Sequence, residues 1–152
     1  MSLLYPEKGI PGYSRKAFLS DLVQEAVKDI QSCFDNGASV VQIDFTEGRL
    51  AVKLDPTKKL LQEFIDINNK VFAHFTDDER KQIGVHTCPG GDRDSTHSAD
   101  VDYGELLPML LKLNAGNFYV QMASEKNPEK ALSDTATGNA GIDYFRAGSV
   151  LR

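Results

Sequence analysis

Apolar residues along this chain recur at helical spacing, then in short continuous runs, and the cycle repeats. Phe18, Leu22, Ala26, Ile30 and Phe34 lie four apart, with Leu19, Val23 and Val27 beside them. That predicts an amphipathic helix starting at a Ser14 cap and stopping at Asn36-Gly37, with Cys33 on its apolar, core-facing side. The β-branched stretch Ser39 to Asp44 reads as a strand covered on both faces. Phe45 to Leu54 reads as a long loop or a small hairpin about Glu47-Gly48. Asp55-Pro56 supplies a cap and a first-turn proline for a second helix, with Leu60, Leu61, Phe64, Ile65, Val71, Phe72 and Phe75 on its apolar side. Thr76 to Glu79 has capping-box form.

The cycle resumes with a second strand over Ile83 to His86 and a polar loop over residues 87–102. Tyr103 to Leu113 predicts a third helix, which Pro108 must kink or delay. A third strand is predicted over Asn117 to Met122, and Asn127-Pro128 caps a fourth helix. Asn36-Gly37 to Gln42 and Ala115-Gly116 to Gln121 form a faint repeat: a helix-stopping glycine, a β run and a glutamine. Strands alternating with helices imply parallel βαβ crossovers, so the fold class is α/β. Periodicity leaves a barrel and an open doubly wound sheet equally available. In a barrel, Val40, Ile43, Val85, Phe118 and Val120 would line the interior. Ser133 to Arg152, rich in small and polar residues, reads as loop or a poorly packed end.

Composition narrows the partners more than the chemistry. A chain of 152 residues with 41% hydrophobic and 26% charged residues suits one globular domain. A net charge of −5 and an isoelectric point near 5.1, with no Lys/Arg cluster, argue against nucleic acid or an anionic membrane. The longest apolar runs are too short to span a bilayer, and the N-terminus shows no basic-then-apolar leader. Cys33 and Cys88 do not read as a disulfide framework, which makes a reducing cytoplasmic location the expectation.

In parallel α/β sheets, functional groups gather where strands end at their C-termini. Those positions hold Asp44 and Glu47 after the first strand, His86 and Cys88 after the second, and Glu125 after the third. Imidazole, thiolate and carboxylate are the donors that Zn²⁺ takes. His86 and Cys88, two apart in extended backbone, would project to one face. His86 can equally be a strand-end histidine satisfied by a carbonyl, with Cys88 a small loop residue. His74, at a helix end, needs only the terminal carbonyls to account for it. Gly90-Gly91 reads as an anion-binding nest or, more plainly, a tight turn. Asp44 caps the next element or, with Gln42, Glu47 and Arg49, forms a polar site.

The segment His86-Thr87-Cys88 through Asp94, His97 and Ser98 resembles the zinc-binding stretch of cobalamin-independent methionine synthases, members of the uroporphyrinogen decarboxylase/methionine synthase-like barrel superfamily. The resemblance covers about residues 9–132 of a single domain 1–152, leaving 133–152 as a divergent tail. It implies consecutive units of a TIM (β/α)₈-type barrel, and it implies Zn²⁺ on His86 and Cys88. Glu125 is the implied third ligand and catalytic-site carboxylate, although it falls about three residues later than a gapless match would place it. Gln42-Ile43-Asp44 and Glu47-Gly48 are similar to the family's substrate-holding segment, which makes Asp44 and Glu47 the substrate-side groups. Phe45-Thr46 stands where the family has Glu-Pro.

The implied activity is transfer of a methyl group from a reduced folate to a small-molecule thiol such as homocysteine. The family's fourth ligand is a later cysteine, and none follows Cys88. A full (β/α)₈ barrel also takes roughly 200 residues or more. The chain therefore reads as an incomplete or truncated barrel, little active alone and self-associating through open edges. The rival readings are a non-catalytic α/β module and a decarboxylase-like barrel acting on another thiol or carboxylate substrate.

Overall fold

A computed structural model describes residues 5–88, 101–122, 127–130 and 145–148, the last four by their backbone. Its order is α1 (Arg15–Asp35), β1 (Val41–Asp44), α2 (Glu47–Leu54), α3 (Lys59–Phe72), α4 (Asp77–Arg80), β2 (Ile83–Thr87), α5 (Tyr103–Leu110), β3 (Asn117–Gln121) and β4 (Phe145–Gly148). The strands form one four-stranded sheet in the order β1-β2-β3-β4, and every pairing is parallel. The fold is α/β with parallel crossovers, as the alternating pattern predicts.

Local chemistry accounts for most of the boundaries. Ser14 Oγ accepts the Ala17 amide at 3.1 Å, and Gly37 takes the left-handed conformation (φ 86°) that ends α1. Thr76 and Glu79 form the reciprocal capping box of α4. Asn127 Oδ1 accepts the Lys130 amide at 3.0 Å, capping a helical turn over 128–130. His74 Nδ1 lies 2.9 Å from the Lys70 carbonyl, the local partner that its place after α3 suggests.

Several expectations change. Residues 47–54 are neither loop nor hairpin but helix α2, with Glu47 in its first turn, where a carboxylate suits the helix dipole. Asp55 caps without placing Pro56 in the helix. Its carboxylate takes the Thr57 amide and hydroxyl and reaches on to the Leu60 amide, so α3 opens after the turn, at Lys59. Pro108 does not delay α5, which starts at Tyr103 and ends at Leu110, with the proline in its last turn. The tail is not all loop: Phe145–Gly148 adds a strand beside β3. Cys33 is exposed rather than core.

One apolar cluster joins the helices to a single face of the sheet. Leu61, Ile65, Phe72, Leu106, Leu107 and Leu110 pack with Ile83, Val85, Phe118 and Val120, all essentially out of water. The residues expected to line a barrel interior are thus the ones that the helices cover, except Val40, which is 47% exposed. Strand period two decides this, because the alternate positions Gln42, Asp44, His86, Tyr119 and Gln121 are polar and partly or fully exposed. Among the described residues, no helix is long and apolar enough to cross a membrane.

Candidate functional site

Parallel pairing brings the strand ends into one row. Asp44 pairs with His86, and His86 with Tyr119, so three side chains from three strands sit side by side. All three occupy the face that the helices leave uncovered. Gly84, one pleat below His86, carries no side chain, and the Tyr119 ring lies over it. A Cβ built at Gly84 would meet Tyr119 Cε2 at 2.4 Å. The glycine therefore allows the tyrosine to lie across the sheet next to His86.

The closest polar contact in the row is His86 Nδ1 to Asp44 Oδ1, 2.5 Å. Asp44 is 65% exposed and His86 29%, so the pair stands at the surface with the imidazole more sheltered. A carboxylate can only accept, so Nδ1 carries the proton that it donates to Asp44. Nε2 is left as the nitrogen whose lone pair can meet a ligand. A carboxylate that fixes the far nitrogen of a histidine is the usual outer support of a metal-binding imidazole. Asp44, expected among the substrate-side groups, is thus also the carboxylate paired with His86.

Cys88 follows the end of β2 and is half-buried. The backbone between it and His86 is held on both sides. The Phe45 amide donates to the His86 carbonyl at 2.7 Å, and the Tyr103 hydroxyl donates to the Thr87 carbonyl at 3.0 Å. Glu47 opens α2 three residues beyond Asp44 and is half-buried. Glu125 lies outside the described residues, as do Gly90, Gly91, Asp94, His97 and Ser98. Among the described residues, no three His, Cys, Asp or Glu side chains gather closely enough to hold a metal ion.

Sequence reasoning missed Tyr119 and Gln121, which share the uncovered face with Asp44 and His86. Period-two reading of β3 from Phe118 would have placed both, once the register with β2 was known. It also missed Tyr103. Arg49, grouped by sequence with the polar site, is instead fully buried and stacked on Tyr103, its guanidinium carbon 4.0 Å from the ring centre.

Comparison with profiles of protein families, with curated proteins and with solved structures gave no match.

Proposed function

We propose that this chain carries the histidine–cysteine part of a methionine synthase-like site, built on consecutive units of a (β/α)₈-type barrel. The barrel reading is favoured by strand order. Parallel strands added in sequence, with crossovers of the usual hand, put all their helices on one face, whereas a doubly wound sheet reverses order.

The observation that carries the site is the Asp44–His86 pair at neighbouring C-terminal strand ends, two residues before Cys88. His86 Nε2 and the Cys88 thiolate would hold Zn²⁺, with Glu125 as third ligand, and these donors fit that ion. Bound zinc supplies a Lewis acid that lets a thiol such as homocysteine lie as thiolate at neutral pH. Asp44 keeps the imidazole in one tautomer and one orientation. Glu47, which opens the helix after β1, would take the substrate's ammonium group, and a reduced folate would be the methyl donor.

Elemental analysis of the purified chain tests this. Wild type should hold zinc, and Cys88→Ser should lose most of it, because a hydroxyl is a poor ligand in place of a thiolate. Equal zinc in both proteins would end the assignment. One observation favours a different substrate on the same scaffold. Phe45, where the resembled family has a carboxylate, is 3% exposed and packs in the core, so it offers the substrate nothing polar. A cobalt-loaded chain whose spectrum responds to other thiols and not to homocysteine would select that reading.

A further inference from the structure

We infer that Arg49 and Tyr103 form a clamp that positions the chain between His86 and Cys88. Both side chains are fully buried, and the guanidinium carbon lies over the phenol ring, 4.0 Å from its centre. The Tyr103 hydroxyl donates to the carbonyl of Thr87, the residue between His86 and Cys88. Arg49 Nη2 donates to the Val101 carbonyl at 2.6 Å. Two stacked side chains thus grip the backbone at Thr87 and at Val101 and tie these two points to each other.

The consequence is geometric. Fixing the Thr87 carbonyl fixes the peptide plane between Thr87 and Cys88, and with it the direction in which the chain leaves β2 towards the thiol. The His86 carbonyl is fixed from the other side by the Phe45 amide. The relative placement of imidazole and thiol is therefore set by α2 and α5 as well as by the sheet. Arginine suits the task because its planar group can stack and donate at once, which a lysine ammonium cannot do. These are positioning residues, and neither would touch a substrate. The metal-binding consequence rests on the function proposed above, while the clamp itself does not.

Amide hydrogen exchange on the whole, metal-free chain separates the two. Tyr103→Phe keeps the ring under Arg49 and removes only the hydroxyl. The Phe45 amide, bonded to the His86 carbonyl, should then exchange about tenfold faster, since a buried carbonyl has lost its donor and the local opening becomes easier. The Val41 amide, bonded to the Gln82 carbonyl at the other end of the same strand pair, should not change. Arg49→Lys should give the same pattern. Equal acceleration at both amides would mean general destabilisation and would overturn the clamp, as would no change at either. In a parallel Co²⁺ titration followed by the thiolate-to-cobalt absorption, Tyr103→Phe should bind about tenfold more weakly than wild type, the loss typical of outer-shell changes. Wild-type affinity in that variant would overturn the metal-positioning role. A wild-type chain that binds no cobalt, with the exchange pattern as expected, would leave the clamp standing and remove the zinc reading.

Discussion

The two ends of the parallel sheet are built on opposite principles. At the N-terminal end, polar groups bond to other parts of the chain. The Gly116 amide donates to the Arg80 and Ile83 carbonyls, and Asn117 Nδ2 to the Lys81 carbonyl at 2.7 Å. Arg80 Nη1 donates to the Phe75 carbonyl at 2.5 Å, while Asn69 joins the Lys112 carbonyl to the Asn114 amide. At the C-terminal end, Asp44, His86, Tyr119 and Cys88 are partly or largely open, and the supporting groups Phe45, Tyr103 and Arg49 are buried behind them. One end closes the fold, and the other presents side chains outward from a fixed frame. That division is the general one for parallel α/β units.

Two glycines sharpen it most. A Cβ at Gly116 would fall 2.4 Å from the Lys81 Cα and 2.7 Å from its carbonyl oxygen, so backbone would have to move. Gly116→Ala should cost about 3 kcal/mol, at the upper end for overpacking a rigid site. Gly84→Ala meets only the Tyr119 ring, which can swing on its own side chain, and alanine gains some backbone entropy in a strand. Its cost should be about 1 kcal/mol or less. Urea midpoints of the two variants measure this directly. Equal losses would mean that the Tyr119 ring on the uncovered face is held as rigidly as the backbone against Gly116.

Gly116 also shows where the sequence stops being legible. Gly37 and Gly116 look alike as helix-stopping glycines, yet only Gly37 has positive φ. Gly116 is kept bare by a neighbour 35 positions away in the chain, and no local pattern announces that. The alternation of helix and strand, the Ser14 and Thr76 caps and the parallel class were readable because each depends on neighbours within a few residues. Helix α2 was not. Its Glu-Gly-Arg opening lacks an apolar stripe of ordinary length, and its stability comes from Arg49, Ala51 and Val52 packing under other elements. β4 was hidden for the same reason, since its pairing partner is 27 residues earlier. The assignment of faces failed because three apolar strands do not say which side the helices take. Asp44 and His86 were visible as strand-end residues, but their contact needed the register.

A hydrogen-bond comparison is the next sharpest. Asn69→Ala removes both the donor to Lys112 and the acceptor of Asn114, and should destabilise by about 2 kcal/mol. His86→Ala, at the open end, breaks only an exposed pair with Asp44 and should change stability by about 0.5 kcal/mol or less. Thermal or urea unfolding of both variants checks the contrast. A large loss in His86→Ala would move the histidine from the presenting end to the closing one.

The smallest expected effect tests the closing end by pH. The Glu79 carboxylate takes the Thr76 amide at 2.7 Å and the Thr76 hydroxyl at 2.8 Å. These bonds favour its charged form and hold it below the ordinary carboxylate range, the Thr76 amide most of all. The sign follows from linkage. A carboxyl whose pKa is lower in the folded than in the unfolded chain adds stability that is complete above the unfolded value, about 4.3. That contribution drains away as pH falls through the folded value. Wild type should therefore be more stable than Glu79→Gln near neutral pH, and the gap should narrow below about pH 4. Urea midpoints for the pair across that range are the measurement. A gap that stays constant down to pH 3 would mean that the capping box holds through its hydrogen bonds irrespective of charge, and that the N-terminal end owes nothing to this carboxylate's ionisation.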